Sequence, residues 1–315
     1  MKVLLTGATG GIGRRLTEYL PTRGHEVTPL RRGARANGAP ASGPSWDPAR
    51  GELDARALEG FEAVVHLSGA NIGGGRWTEA RKRELRASRI DSTRLLVDRM
   101  LAAPGGPRVL VCASAIGFYG DRGDEVLTEE AATGGGFLAE LVRDWEREAA
   151  RAAEGGIRVV SVRFGVLMAA NDLALQRLKL VFNLGIGGRL GSGRQWMSWI
   201  APVDLVRAID WVLTHDIAGP VNVVSPLPAR NSELTSALGR VLRRPALFPV
   251  PAFALKLALG GSAEELLLAS QRVLPRRLLD AGFEFTLPGI EETLRAELRP
   301  DTAAGANASR AGRAT

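Results

Sequence analysis

Short runs of apolar residues recur along the first two thirds of the chain, separated by stretches in which apolar positions return every three or four residues. The runs are "KVLLT" (2–6), "HEVTPL" (25–30), "AVVHL" (63–67), "RVLVCAS" (108–114) and "IRVVSVRF" (157–164). They are almost continuous in Val, Leu and Ile, as expected of strands buried on both faces of a parallel sheet. Amphipathic stretches predict a helix ending at Leu20 and further helices near 78–102, 137–154 and 202–215. Strand and helix alternate, so the pattern predicts an α/β fold with a doubly wound parallel sheet.

From about residue 225 the alternation stops. "SPLPARNSELTSALGRVL" reads as a loop and then a helix, with Asn231 or Ser232 as its N-cap. "PVPAF" breaks the pattern, and short helices follow to about 298. We therefore expect a dinucleotide-binding domain over 1–224 and a small, mainly helical C-terminal lobe over 225–298. The Gly-rich stretch 165–200 reads as irregular and is expected to border the substrate cleft between them. The tail 299–315 lacks large apolar residues and is expected to be disordered.

Composition narrows the picture. The 315 residues are 45% hydrophobic and 24% charged, as in a water-soluble globular protein. No apolar run approaches the ~18–20 residues a membrane helix needs. The chain opens directly on a strand rather than a leader, so a cytoplasmic location is expected. The single cysteine, Cys112, rules out an internal disulfide and sits in an apolar run, so a buried thiol is expected. His25, His66 and His215 lack metal-ligand spacing. The net charge of +7 comes with arginines interleaved with glutamates, as in "RDWEREAARAAE". That is a solvated helix face, so nucleic acid is not an expected partner.

The strongest local signal is "LLTGATGGIGRRL". Gly7, Gly10 and Gly13 form a G-x-x-G-x-x-G pattern between a strand and a helix. Glycine permits the sharp turn and close backbone approach, while the helix N-terminus offers free N–H groups to a pyrophosphate. Thr9, Gly11 and Ile12 complete the expected phosphate contact. An NAD site places an Asp or Glu at the end of the second strand to hold the ribose 2′-OH. Here that place holds Arg31 and Arg32. A guanidinium pairs well with a 2′-phosphate, so the expected cofactor is NADP rather than NAD.

These residues resemble the extended, epimerase-like branch of the short-chain dehydrogenase/reductase superfamily. The glycine triad carries the resemblance, with "VVHLSGANI" after one strand and "ASAIGFYG" after the next. A narrower resemblance, to the "epimerase family protein" group with its own C-terminal domain, spans about residues 1–298. Its segments are "WDPARGELD", "HLSGANIGGGRWTEARKRELRASRIDSTRLL", "GFYGDRGDEVLTEE", "FLAELVRDWE", "GIGGRLGSGRQWMSWI" and "RVLPRRLLDAGFEF". The resemblance implies a Rossmann-type sheet, with Leu67, Ser68, Gly69 and Ala113 lining the cofactor. It implies no particular substrate.

The superfamily's acid–base pair, Tyr-x-x-x-Lys on a helix, is missing. Tyr19 is followed four residues on by Arg23, and Tyr119 by Gly123. In the expected helix Phe137 stands at the tyrosine position and Leu141 at the lysine position, with Glu146 at a later acidic position. The supporting serine is displaced: Ser114 precedes Ala115. Ser114 and Tyr119 are the remaining catalytic candidates. Tyr119 has three open roles: substitute general acid, contact to cofactor or substrate, or packing with its hydroxyl bonded locally. Lys82, Arg89, Arg76, Trp77, Glu130, Glu140, Gln195, Trp196, Ser198 and Trp199 are further polar and aromatic candidates, with a solvated helix face the default for Lys82, core packing the equal alternative for Trp196 and Trp199, and an acid role for Glu130 and Glu140 only where burial raises their pKa. The expected function is an NADP-dependent oxidoreductase acting on an unidentified small molecule. The alternatives are a non-redox epimerase or dehydratase, and a nucleotide-binding sensor without turnover.

Overall fold

A computed structural model describes residues 1–33 and 43–299. The tail expected to be disordered therefore lies outside the described residues, except for Arg299. The main sheet holds seven parallel strands: β1 Lys2–Thr6, β2 Glu26–Arg32, β3 Ser45–Trp46, β4 Ala63–His66, β5 Val109–Ala115, β6 Arg158–Phe164 and β7 Gly219–Val223. Their spatial order is β7-β6-β5-β4-β1-β2-β3. The chain winds outward from β1 to β3, returns, and winds the other way from β4 to β7. Strand order thus reverses between β1 and β4, where an open α/β sheet leaves a crevice at its carboxyl ends.

The longer helices are α1 Gly11–Thr22, α2 Glu79–Arg86, α3 Ser92–Ala102, α4 Phe137–Ala150, α5 Leu173–Asn183, α6 Pro202–Thr214, α7 Asn231–Leu242, α8 Ala252–Leu259, α9 Arg276–Asp280 and α10 Ile290–Leu298. Alternate strand residues face opposite layers. Val3, Leu5, Val65, Val111 and Val160 pack with Leu16 and Leu20 of α1 and Leu205 and Ile209 of α6. Leu4, Val64, Leu110 and Val159 pack on the other face with Leu96 and Val97 of α3 and Trp145 of α4. Cys112 is buried in that second layer, where burial pushes its thiol up to about 12.

Two strands escape the sequence pattern. β3 is only two residues long, and β7 reads "GPVNV", with glycine and proline at its start. The stretch 165–200 is also more ordered than its glycines imply: α5 lies within it, with Leu175 and Phe182 buried. These two pack with Trp199, Leu234, Leu238 and Leu294 in a separate apolar core under α7 and α10. The segment after α9 returns to the sheet, where Phe283 meets Trp211 of α6 edge-to-face at 5.6 Å. The α7 cap also differs from expectation. Arg230 is the N-cap, and its N–H donates to Glu233 Oε2 at 2.6 Å. Asn231 is helical, and its Oδ1 accepts from the Leu190 N–H at 2.8 Å, fixing the loop before β-bridged Trp196.

Candidate functional site

The glycine triad lies where the spacing places it, between β1 and α1 at the sheet's reversal point. Gly7 has φ +69°, and a Cβ there would lie 2.9 Å from the Leu67 carbonyl carbon, closing the gap between the β1 and β4 loops. A Cβ on Gly13 would overlap the Gly7 carbonyl oxygen. Gly10 and Gly11 are exposed, and Gly10 caps α1 without any side-chain hydrogen bond. No acidic side chain occupies the first turn. The N–H groups at this helix start are therefore directed at an open surface beside Thr9 and Ile12, a cradle that fits a dinucleotide pyrophosphate.

Arg31 and Arg32 end β2, exposed, and neither guanidinium bonds to a described residue. Below them His66 ends β4 fully buried, with Nδ1 2.8 Å from Thr6 Oγ1 and Nε2 3.1 Å from Thr93 Oγ1. Thr6 Oγ1 also accepts from the Leu67 N–H, and Thr93 Oγ1 accepts from the Trp145 indole. This relay supports the strip Leu67–Ser68–Gly69, which runs beside Gly7. Gly69 packs against the Arg89 guanidinium, itself bonded to the Ala70 carbonyl at 3.0 Å.

Burial, and secondarily the positive charge of Arg32, pushes the His66 imidazole down from 6.5 to about 3. The unfolded chain therefore binds this proton first, so His66 costs stability as pH falls from about 6.5 toward about 3. Stability against urea is expected to fall by up to ~1.4 kcal/mol per pH unit from this group across that window. A His66→Gln variant should show a flatter slope there. An unchanged slope would place the protonation elsewhere.

The ends of β5 and β6 carry a second polar network. Ala113 lies in β5, one residue before Ser114. Ser114 pairs in register with Arg163. Glu146 of α4 accepts from Ser114 Oγ at 2.5 Å, and from Arg163 Nε and Nη2 at 2.8 and 2.7 Å. Arg163 Nη1 donates to the Tyr119 hydroxyl at 2.9 Å, which donates in turn to Asn222 Oδ1 at 2.7 Å. Tyr119 is 0% exposed. Burial pushes its phenol up, and Arg163 and Asn222 only partly offset that. Of the three open roles, the geometry matches packing with a locally bonded hydroxyl. Its proton faces Asn222 rather than open space, and Ser114 spends its own proton on Glu146. Tyr119→Phe is expected to cost roughly 1–2 kcal/mol of stability, since it leaves Asn222 and Arg163 short of a partner. Cofactor affinity should stay unchanged, as read by urea unfolding and NADPH titration.

The helix expected to bear the acid–base pair is α4, but its register toward the cleft is shifted by one residue. Phe137 turns away: its ring meets Trp77 edge-to-face at 5.2 Å, with Lys82 and Arg86 over it at 5.6 and 5.4 Å. Leu138 instead lines a cavity of about 510 Å³ beyond the carboxyl end of β5. Val142 and Glu146 follow Leu138 at four-residue steps on one helix face. In either register neither tyrosine nor lysine is present.

The cavity lies between the sheet domain and the C-terminal segment. Its polar lining is Asp121, Ser192, Gln195, Lys256, Glu264, Glu265 and Gln271. Glu265 binds the start of α4, accepting from the Phe137 and Leu138 N–H groups at 3.0 and 2.7 Å. Lys256 Nζ lies 2.5 Å from Glu264 Oε1. Sequence reasoning singled out Gln195 but missed the Lys256, Glu264, Glu265 and Gln271 group. These residues lie in α8 and the turns after it, where no motif marks them.

The other candidates scatter. Glu140 pairs with Arg86 on the surface, and Lys82 with Glu79. Trp77 donates its indole N–H to the Ile72 carbonyl. Arg76 approaches Gly260 near the turn after α8. Glu130 borders a different depression, beside Arg277 and Asp216. Trp196 is braced by Arg230 and Arg272, and its indole N–H bonds Asp124. Ser198 Oγ ties to the Gln271 and Val273 carbonyls, and Trp199 is buried in the C-terminal core.

A parallel sheet reversing at a glycine-lined helix start defines a Rossmann-type nucleotide-binding fold, and the sequence comparisons agree. The profile of the NAD dependent epimerase/dehydratase family matches residues 3–224, so the chain belongs to that family. A domain of unknown function, DUF1731, matches residues 250–297. An epimerase family protein of Mycobacterium bovis is 41% identical over 93% of this chain and 96% of its own length. The human epimerase family protein SDR39U1 is 34% identical over 94% of this chain and 99% of its own. A crystal structure of the human protein with NADPH superposes with a TM-score of 0.85 at 31% identity, covering 94% and 99% of the two chains. A Thermotoga maritima UDP-glucose 4-epimerase with UDP-glucose superposes with a TM-score of 0.75, covering 94% of this chain and 97% of that one. At 15% identity that likeness concerns the fold alone.

Proposed function

We propose that this protein is an NADP(H)-dependent oxidoreductase that reduces or oxidises a small molecule in the cavity beyond β5. The observation that carries the reading is the open glycine cradle at the sheet's reversal point, flanked by two arginines without a described partner. The NADPH named with the human relative supports the same cofactor. Gly7, Thr9, Gly10, Gly11, Ile12 and Gly13 would hold the pyrophosphate, and Arg31 and Arg32 the 2′-phosphate. Leu67, Ser68, Gly69 and Ala113 would wall the remainder. When bound, the nicotinamide supplies hydride transfer.

Ser114 and Tyr119 act as positioning residues in this reading: through Glu146 and Arg163 they fix the ends of β5 and β6. The groups able to hold or move a proton at the cavity are Asp121, Lys256, Glu264 and Glu265. Direct fluorescence titration should show NADPH binding well ahead of NADH, and a panel of carbonyl compounds should oxidise it. Equal affinity for the two cofactors would refute the NADP preference. A second reading, nucleotide binding without turnover, is favoured by Leu138 and Val142 on the cleft face of α4. Tight NADPH binding with no oxidation across the panel would select it.

A further inference from the structure

The chain carries 41 lysines and arginines and a net charge of +7. The cavity beyond β5 has the opposite sign. Among the described residues that line it, Asp121, Glu264 and Glu265 face a single cation, Lys256, and no arginine takes part. Both features that would attract an anion are already occupied by carboxylates of the chain itself. Lys256 is paired with Glu264, and the N-terminus of α4 is filled by Glu265. A helix start offers its N–H groups to one anion, and here that anion is internal.

The neutral polar groups point the same way. Gln195 donates its amide N–H groups to the Leu190 and Leu267 carbonyls. Gln271 donates its own to the Ile116 and Gly120 carbonyls. Both glutamines are left with a carbonyl oxygen to offer, and Ser192, whose Oγ accepts from the Arg194 N–H, keeps one hydroxyl proton, so the lining holds more acceptors than unengaged donors. Leu138, Leu268, Ala252 and Ala269 supply the apolar wall.

Resting on the oxidoreductase reading, we infer that the substrate is a non-phosphorylated, neutral or cationic molecule bearing hydroxyl or amine donors, and that nucleoside-diphosphate sugars are excluded from this cavity. A diphosphate would enter a site where three carboxylates outnumber one lysine that is already paired with Glu264, so like charges oppose its binding. An alcohol or ammonium would instead meet Gln195, Gln271, Asp121 and Glu264 as acceptors.

The test is crystallographic. Crystals of the full chain grown with NADPH are soaked separately with UDP-glucose and with a fragment set balanced among alcohols, amines, carboxylates and phosphate esters. Alcohols and amines are expected in the cavity between Leu138 and Gln271, with UDP-glucose and the phosphate esters absent from it. Solution titration should place the best amine at least about tenfold ahead of UDP-glucose, a difference that narrows in the Asp121→Asn, Glu264→Gln double variant. UDP-glucose or a phosphate ester in the cavity overturns the inference, and so does a cavity that stays empty in every soak. Density for NADPH at the glycine loop is read in the same crystals. Its absence would refute the cofactor reading while the cavity result stands by itself.

Discussion

NADPH binding is expected to weaken about a hundredfold when Arg31 and Arg32 are both replaced by alanine, with NADH affinity changing less than about threefold. NADPH and NADH differ only in the 2′-phosphate, so the difference isolates the group the arginines would hold. A charge-assisted hydrogen bond contributes roughly 1.5–3 kcal/mol, and removing two such bonds together accounts for at least the stated factor. Both side chains are exposed and bond no described residue, so replacing them leaves the hydrogen bonds of the described fold intact. Arg32 also helps hold His66 neutral, so the variant should ease the imidazole's depression slightly. Equal losses for both cofactors would mean that the arginines act on the fold and not on the 2′-phosphate. No loss for either would place the phosphate elsewhere.

Replacing Glu146 by alanine is expected to destabilise the protein by about 3–5 kcal/mol, because it strands a buried guanidinium. The Arg163 side chain is 3% exposed and that of Glu146 15% exposed. Both oxygens of Glu146 bind Arg163, and one also binds Ser114. The guanidinium lies against its other neighbours, 3.6 Å from the Phe118 ring centre and bonded to the Tyr119 hydroxyl. Without the carboxylate, the Phe118 ring and the neutral Tyr119 hydroxyl remain against the guanidinium, and no described acidic side chain bonds it. Chemical denaturation gives the loss directly. The double variant Glu146→Leu, Arg163→Met should recover much of it, since removing both charges avoids the stranded one. A loss under about 1 kcal/mol for the single variant would show that water reaches Arg163 and that the network does not anchor the strand ends.

The two predictions concern different levels of information. The place of Arg31 and Arg32 was legible because it depends on sequence position: the strand that follows a glycine loop and its helix ends on these two residues. The same holds for the glycine triad and for the longer strands, whose apolar runs are long enough to register. β3 and β7 were not legible. One has two residues, and the other begins with glycine and proline. Their place in the sheet comes from pairing with β2 and β6, a non-local contact that no local pattern encodes. Within α4, periodicity located the helix but not its rotation. Packing of Phe137 against Trp77 decided that Leu138 faces the cleft.

Tyr119 marks the boundary most clearly. Its rarity and its place after β5 made it a candidate acid, while only folding brings Asn222, 103 residues away, to its hydroxyl. The cavity is more distant still, since no local spacing in α8 or the turns after it marks the residues that line it. Sequence alone determined the sheet class, the glycine loop, the arginines in the place of an acidic residue, and the absence of a tyrosine–lysine pair. Each rests on residue type at short spacing along one strand or helix. Tertiary structure alone decided which hydroxyls are spent, which face of α4 meets the cleft, and that a basic chain encloses an acidic, acceptor-lined cavity. Those depend on groups far apart along the chain, and burial and charge pairing between them exist only once the chain has folded.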